Sequence, residues 1–267
     1  MMRARRRPAA LRGLVAAGAM CAALPVAAQA PSEDARSAVF SVRVNGAPHP
    51  KLAREVLQVL RTADREYRDR LGFGPSQPLS VVLENEALED ERERLPRWAD
   101  GVYDGSIRVP TVGMDSVTPR LGAVLRHELA HSFIHVRTRG NCPAWLQEGV
   151  AQWLEGGEPE REDPALAELA ARRELPALVT LEAPFLDRPE EDARGAYAAS
   201  LSAAAHILRT RGVAGLRRLL ESLGAGLPSD EALPNALGLS YSQLQRSWES
   251  HLSGLAPAGE AGNGPAG

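Results

Sequence analysis

Hydrophobic and polar positions change period along this chain, and the change divides it. Ala38 to Val44 alternates apolar and polar residues as a strand does, and Leu79 to Leu83 is a short apolar run bounded by turn residues, read as a second strand. Between them Pro50 to Leu71 has the helical period, with Leu52, Val56, Val59, Leu60 and Ala63 on one face, and Gly72 to Pro78 supplies the turn. A third strand is expected at Ser106 to Val109. From Thr118 onward the spacing is helical throughout: Val117 to Val136, a segment around Trp145 to Trp153, Pro164 to Arg173, Arg194 to Thr210, Val213 to Leu223, Asp230 to Leu237 and Ser242 to Leu252. Strands first and helices later predict an α+β domain over residues 38–252, with the small sheet packed against a mostly helical second half and a cleft between them.

Two stretches do not fit that domain. Residues 1–12 carry five arginines and no acid, and Gly13 to Val26 is apolar and alanine-rich, ending in small residues. This is the pattern of a secretory signal peptide, with cleavage after Ala28 favoured because a cut after Ala30 would place Pro31 next to the bond. The apolar run is short for a membrane span, and Cys21 follows Met20 rather than a small residue, which argues against a lipid anchor. At the other end, residues 253–267 are rich in glycine, alanine and proline with little to bury, so a disordered tail is expected. The mixed-charge run from Glu84 to Arg97 is expected to be a solvated loop or lid.

Composition narrows the function classes. The 267 residues are 44% hydrophobic, enough for one substantial core, and show no internal repeat. The chain has 31 basic and 34 acidic side chains, a net charge of −3, and loss of the five arginines in residues 1–28 would make it −8. An acidic mature protein is a poor match for nucleic acid. It would keep a single cysteine, Cys142, so no internal disulfide is available, and that thiol is read as a plain buried side chain.

The candidate chemistry lies in the Val117 to Val136 helix, which Thr118 can cap and Pro119 can begin. His127-Glu128-Leu129-Ala130-His131 places two imidazoles one turn apart on the same face, as two ligands of one zinc ion, with Glu128 beside the metal as a base for its water. Catalytic zinc needs a third protein ligand and an open fourth position. The next helix offers Glu148, because Pro143 starts it and the Arg137 to Cys142 loop lets it fold back. His135 is read as a helix-end histidine, and His49, His206 and His251 as ordinary side chains.

In these two segments the sequence resembles the gluzincin metallopeptidases, specifically the peptidase MA-like family, where H-E-x-x-H is followed by P-x-W-L-x-E-G-x-A. Pro143, Trp145, Leu146, Glu148, Gly149 and Ala151 stand in that pattern. The resemblance implies a zincin-like fold, His127, His131 and Glu148 as zinc ligands, and Glu128 as general base. Trp98 to Pro110 is similar to the turn and edge strand that precede the family's active-site helix, and its strand Ser106 to Val109 is expected to hold an extended substrate by backbone pairing. Gly195 to Ser200 is similar to the segment where relatives supply a tyrosine, which points to Tyr197 as a donor to the oxyanion. Glu231 to Gly238 and Trp248 extend the likeness toward the end of the domain.

The expected activity is therefore peptide-bond hydrolysis by an exported protein, periplasmic or secreted, with peptide or protein substrates and no stable membrane anchor once the leader is removed. Zinc aminopeptidases carry a G-x-M-E-N segment upstream of the zinc motif; none stands upstream of His127 in this domain, which favours internal cleavage. The competing reading is a peptidase-like module that binds or assembles without hydrolysis.

Overall fold

A computed structural model of the chain describes residues 35–36, 39–85, 101–156, 164–185 and 188–255. The leader segment, nearly all of the charged run after Glu84 and the C-terminal tail after Leu255 lie outside the described residues, and Ser253, expected in the tail, ends the last helix.

The chain begins with β1 (Ala35–Arg36) and β2 (Phe40–Asn45), continues through α1 (Pro50–Leu71) and β3 (Leu79–Glu84), and resumes with β4 (Val102–Tyr103) and β5 (Ile107–Pro110). These strands form one mixed sheet in the order β1-β2-β3-β5-β4. The strand–helix–strand unit β2-α1-β3 makes its two strands parallel, with Phe40 opposite Leu79 and Asn45 opposite Glu84. β5 adds parallel to β3, while β1 and β4 are antiparallel on the two outer sides. β1 was not expected from the sequence, because two residues carry no periodicity.

α1 is bounded as its sequence requires. Pro50 stands in the first turn, and Gly72 closes the helix in the left-handed region at φ 72°, its N–H donating to the Arg68 carbonyl. The buried stripe is Leu52, Val56, Leu60, Ala63 and Tyr67, widened by Ala53 and Leu57, whereas Val59 is only half-buried. One correction concerns the third strand. β5 is not an open edge for substrate pairing, because β4 is folded onto it with Tyr103 opposite Ile107 and Val102 opposite Arg108. The reversal is a tight turn in which Asp104 Oδ1 accepts from Ser106 N at 3.1 Å and Ser106 Oγ at 2.9 Å, and Gly105 takes φ 105°.

The helical half follows as α2 (Pro119–Thr138), α3 (Ala144–Glu155), α4 (Pro164–Arg172), a 3-10 turn (Leu178–Leu181), α5 (Glu190–Gly224), α6 (Ser229–Leu237) and α7 (Tyr241–Ser253). Thr118 caps α2 through its side chain, accepting from Leu121 N at 3.1 Å, an interaction worth about 1 kcal/mol at such sites. The two helices expected at Arg194 to Thr210 and Val213 to Leu223 are the two halves of α5, which meet at a kink at Gly212, whose φ of 65° and ψ of 178° are not helical. α7 opens with a capping box between Ser240 and Gln243. Among the described residues, no helix is long and apolar enough to cross a membrane.

The core is one cluster that joins the α1 stripe and sheet residues Val81, Leu83, Ile107 and Val109 to Leu125, Leu129 and Phe133 of α2 and to Trp145, Leu146 and Val150 of α3. α2 is therefore packed on several sides: α1, β4 and β5, α3 and α5 all lie against it. A helix held on so many faces is a rigid platform for side chains. The polar atoms of the large core residues are satisfied, Tyr67 donating to the Arg126 carbonyl at 3.0 Å and Trp248 Nε1 to Ser202 Oγ at 2.9 Å.

Candidate metal centre

α2 and α3 form a hairpin of helices. α2 ends with Arg139 and Gly140 both in the left-handed region, at φ 55° and 78°, and Pro143 begins α3 with extended backbone. Five residues thus reverse the chain, and α3 runs back along α2. The reversal brings Glu148 opposite His127 and His131. Glu148 Oε2 lies 3.3 Å from His127 Nε2 and 3.6 Å from His131 Nε2, and the three candidate ligand atoms fall within 4.8 Å of one another.

This geometry suits a small cation. All three side chains are largely shielded from solvent, at 18%, 10% and 17% exposure for His127, His131 and Glu148. Glu148 Oε2 is buried yet accepts no well-formed hydrogen bond, which is costly for a carboxylate oxygen unless a cation serves it. Both imidazoles turn Nε2 inward and engage partners with the other nitrogen: His127 Nδ1 is 3.1 Å from Glu155 Oε2, and His131 Nδ1 is 3.2 Å from the Gln147 side-chain amide. The Glu155 contact is of the kind that orients a metal-binding histidine and fixes its tautomer, whereas Gln147 presents its amide nitrogen, a donor, to His131. Two imidazoles and one carboxylate are the donor types that would hold a catalytic zinc.

The charges respond to this crowding. Burial disfavours a charged His127, but the Glu148 and Glu155 carboxylates outweigh it and raise the imidazole well above its ordinary value. Burial dominates at His131 and, with the neighbouring His127, lowers it despite Glu148. Burial likewise acts against the Glu148 anion but is outweighed by the two imidazoles, so Glu148 stays ionised below the ordinary glutamate value.

Glu128 projects from α2 between the two histidines in sequence and is itself buried. Burial first, then the Glu148 and Glu155 charges, push its carboxyl up to about 7, with His127 opposing. A carboxyl near neutrality exchanges protons readily at physiological pH. Gly101 lies over this side chain, and a β-carbon there would stand 3.2 Å from Glu128 Cγ and 2.7 Å from Val124 Cγ1. The segment before β4 can therefore approach Glu128 this closely only as glycine.

Tyr197 comes from the first turns of α5. Its ring meets Phe185 edge-on at 5.3 Å, and its phenol is held above the ordinary range by burial and by the Glu148 and Glu128 carboxylates. It is thus a protonated hydroxyl in the field of the two site carboxylates. Gln152 ties it to the site helix, its Nε2 donating to the Tyr197 carbonyl at 3.0 Å and to the Glu148 carbonyl at 3.2 Å.

A family model for the peptidase MA superfamily matches residues 66–254. The chain belongs to the peptidase MA superfamily. The matched region runs from within α1 to the end of α7 and takes in the histidine pair, Glu148 and Tyr197. A search of curated proteins finds no match to the chain. The superfamily makes this a peptidase-type domain, and the α+β architecture accords with it.

Within the peptidase MA domain, the remaining candidates fall outside the cluster. Cys142 is half-buried rather than fully buried, and burial and the Glu148 charge push its thiol above the ordinary range, so it is a poor nucleophile. His135 is exposed at the end of α2 against Tyr103. His206 is buried, between Ser247 Oγ at 2.9 Å and the Arg209 guanidinium at 3.2 Å. Sequence reasoning missed Glu155 and Gln147. Glu155 had one available signal: it stands seven residues after Glu148, on the same face of α3 two turns on.

Proposed function

We propose that this chain is an exported zinc-dependent metallopeptidase that cleaves within peptide chains, with His127, His131 and Glu148 holding the zinc, Glu128 as general base and Tyr197 as an oxyanion donor. The observation that carries the reading is the convergence of two imidazole Nε2 atoms on a buried Glu148 oxygen that has no hydrogen-bond partner, beside a second buried carboxyl. Membership of the peptidase MA superfamily supports the reaction class.

Bound zinc would supply Lewis acidity, making water acidic near neutral pH and polarising a carbonyl. The chain's own groups do the rest. Glu128 accepts the proton of the attacking water and returns it to the leaving amine, a shuttle suited to a carboxyl whose pKa is about 7. Tyr197 stays protonated and donates its hydroxyl hydrogen where negative charge develops on the substrate oxygen. Gly101 keeps the strand side of the cleft close above Glu128, which limits water around the base.

Export rests on the arginine-rich start and apolar run of residues 1–28, and the mature amino terminus is placed near Gln29. An acidic mature chain with one thiol suits an oxidising compartment without needing a disulfide.

The test is mass-spectrometric profiling of a peptide library incubated with the purified mature chain, with the chain treated with a chelator, and with Glu128→Gln. Internal cuts by the first sample alone are expected. Removal of single residues from peptide amino termini would replace endopeptidase with aminopeptidase. Zinc binding without cleavage of any peptide would instead favour a binding or assembly module.

A further inference from the structure

α1 sorts its charges by face. Three of its four acids are engaged. Glu55 accepts from Val117 N at 2.8 Å and lies 3.7 Å from Lys51, Asp64 is buried and pairs with Arg68 at 2.9 Å, and Glu66 pairs with Arg126 of α2 at 2.5 Å. Lys51, Arg54, Arg61 and Arg65 are exposed, and among the described residues none of these three arginines has an acidic partner. By helical periodicity the four cations share a strip about 80° wide and about 21 Å long. Gln58 lies on the same strip, and Asp69 at its end is the one exposed acid of the helix. Arg61 and Arg65 stand four residues apart, a spacing at which like charges destabilise a helix.

We propose that this strip of α1 docks on anionic phospholipid headgroups, holding the mature domain reversibly at a membrane surface with the metal centre turned away from it. Charge complementarity selects the partner. Protein interfaces carry a desolvated centre rich in aromatic and apolar side chains, and single-stranded nucleic acids are held on aromatic platforms. The strip offers neither, only cations separated by Gln58, which suits a flat, diffuse layer of negative charge. The field of such a layer reaches only about 10 Å in physiological salt, so the strip feels it while the acidic remainder of the chain does not.

The orientation follows from how α1 meets α2. Tyr67 of α1 packs edge-on against Phe133 at 5.5 Å, and Phe133 is two residues from His131, about 200° round the helix. The histidine pair leaves α2 on the side of α3 instead. Contact with a membrane through α1 therefore leaves the cleft open to peptides in solution. The lipid contact itself does not depend on the zinc reading.

Sedimentation with vesicles of equal parts phosphatidylglycerol and phosphatidylcholine tests this without recourse to activity. The mature chain is used, because the arginine-rich leader would bind lipid by itself. At low salt it should partition onto these vesicles and not onto phosphatidylcholine alone, and binding should fall steeply as salt is raised. Losing one cation near such a surface costs about fivefold in binding, so Arg54→Gln/Arg61→Gln/Arg65→Gln should bind about 100-fold more weakly than the parent. The matching triple lysine variant should bind like the parent, since it keeps the charge. Arg172→Gln/Arg194→Gln/Arg246→Gln alters net charge equally at exposed positions of other helices and should also bind like the parent. Should the strip variant fail to fold, as judged by circular dichroism, Arg61→Gln alone should still lose about fivefold. A parent that ignores anionic vesicles, a strip variant within twofold of it, or equal losses in both triple glutamine variants would overturn the proposal. Self-association that needs the three arginines, without vesicle binding, would assign the strip to a second copy of the chain instead.

Discussion

Gly149 lies so close to Ser200 that a β-carbon at position 149 would stand 2.1 Å from the Ser200 carbonyl oxygen. The contact is backbone against backbone, so no rotamer change relieves it. This explains why a glycine follows Glu148 in mid-helix, where it sacrifices about 1 kcal/mol of helix propensity relative to alanine. It brings α5, and with it Tyr197, against α3.

Gly149→Ala is expected to be destabilising despite that propensity, because overpacking of a close contact costs about 1–3 kcal/mol and α5 must move to relieve it. A urea midpoint below that of the parent, together with a fall in kcat, is the expected result. An unchanged midpoint would show that α5 can shift freely and that its position is not set by this contact.

Tyr197→Phe separates the oxyanion from the metal. It deletes one hydroxyl and leaves the Phe185 contact and the Gln152 hydrogen bond to the backbone in place. The expected outcome is a fall in kcat of about 100- to 1000-fold, the effect of removing one oxyanion donor, with zinc content unchanged. Parental rates would make Tyr197 a packing residue.

His131→Ala and Glu148→Ala each remove a donor from the three-residue cluster, so both should lose stoichiometric zinc under dialysis that leaves the parent loaded. Metal analysis after gel filtration checks this. Retention of full zinc by Glu148→Ala would exclude it as the third ligand.

Away from the site, His206 provides a pH dependence of stability. Burial, then Arg209, His251 and Arg211, hold its imidazole down to about 4, and in the neutral form it can accept from Arg209 and donate to Ser247. The unfolded chain protonates this ring near its ordinary pKa of about 6.5, so the folded state binds fewer protons between the two values. Its contribution is therefore fully present above about pH 6.5 and is lost as pH falls toward 4. The stability difference between the parent and His206→Gln, from urea midpoints at several pH values, should shrink over that window. A difference constant with pH would contradict the depressed imidazole.

Much of this was legible in the sequence where a local rule acts alone. α1 starts and stops at Pro50 and Leu71 as expected because a proline and a left-handed glycine bound it, and Thr118 caps α2 as its position before Pro119 indicated. His127 and His131 share a helix face by spacing, and the short loop to Pro143 suffices to bring Glu148 across. What was not legible depends on chain folded from elsewhere. β4 pairs with Ile107 and Arg108 of β5 because of a turn at Asp104 to Ser106, so the edge expected at Ser106 to Val109 is taken up there by the chain itself. Glu155 meets His127 across 28 positions, a contact that exists only once α3 has folded back along α2.

The most direct measurement titrates zinc into metal-stripped mature protein while following cleavage of an internally quenched peptide, in parallel with Glu128→Gln. Activity of the parent should rise linearly and level off at about one equivalent of zinc, the stoichiometry of a three-ligand centre. Glu128→Gln should take up the same equivalent and stay nearly inactive, because it keeps the ligands and loses the base. Cleavage by the metal-stripped parent, or zinc-dependent cleavage by Glu128→Gln at the parental rate, would contradict a zinc peptidase that uses Glu128.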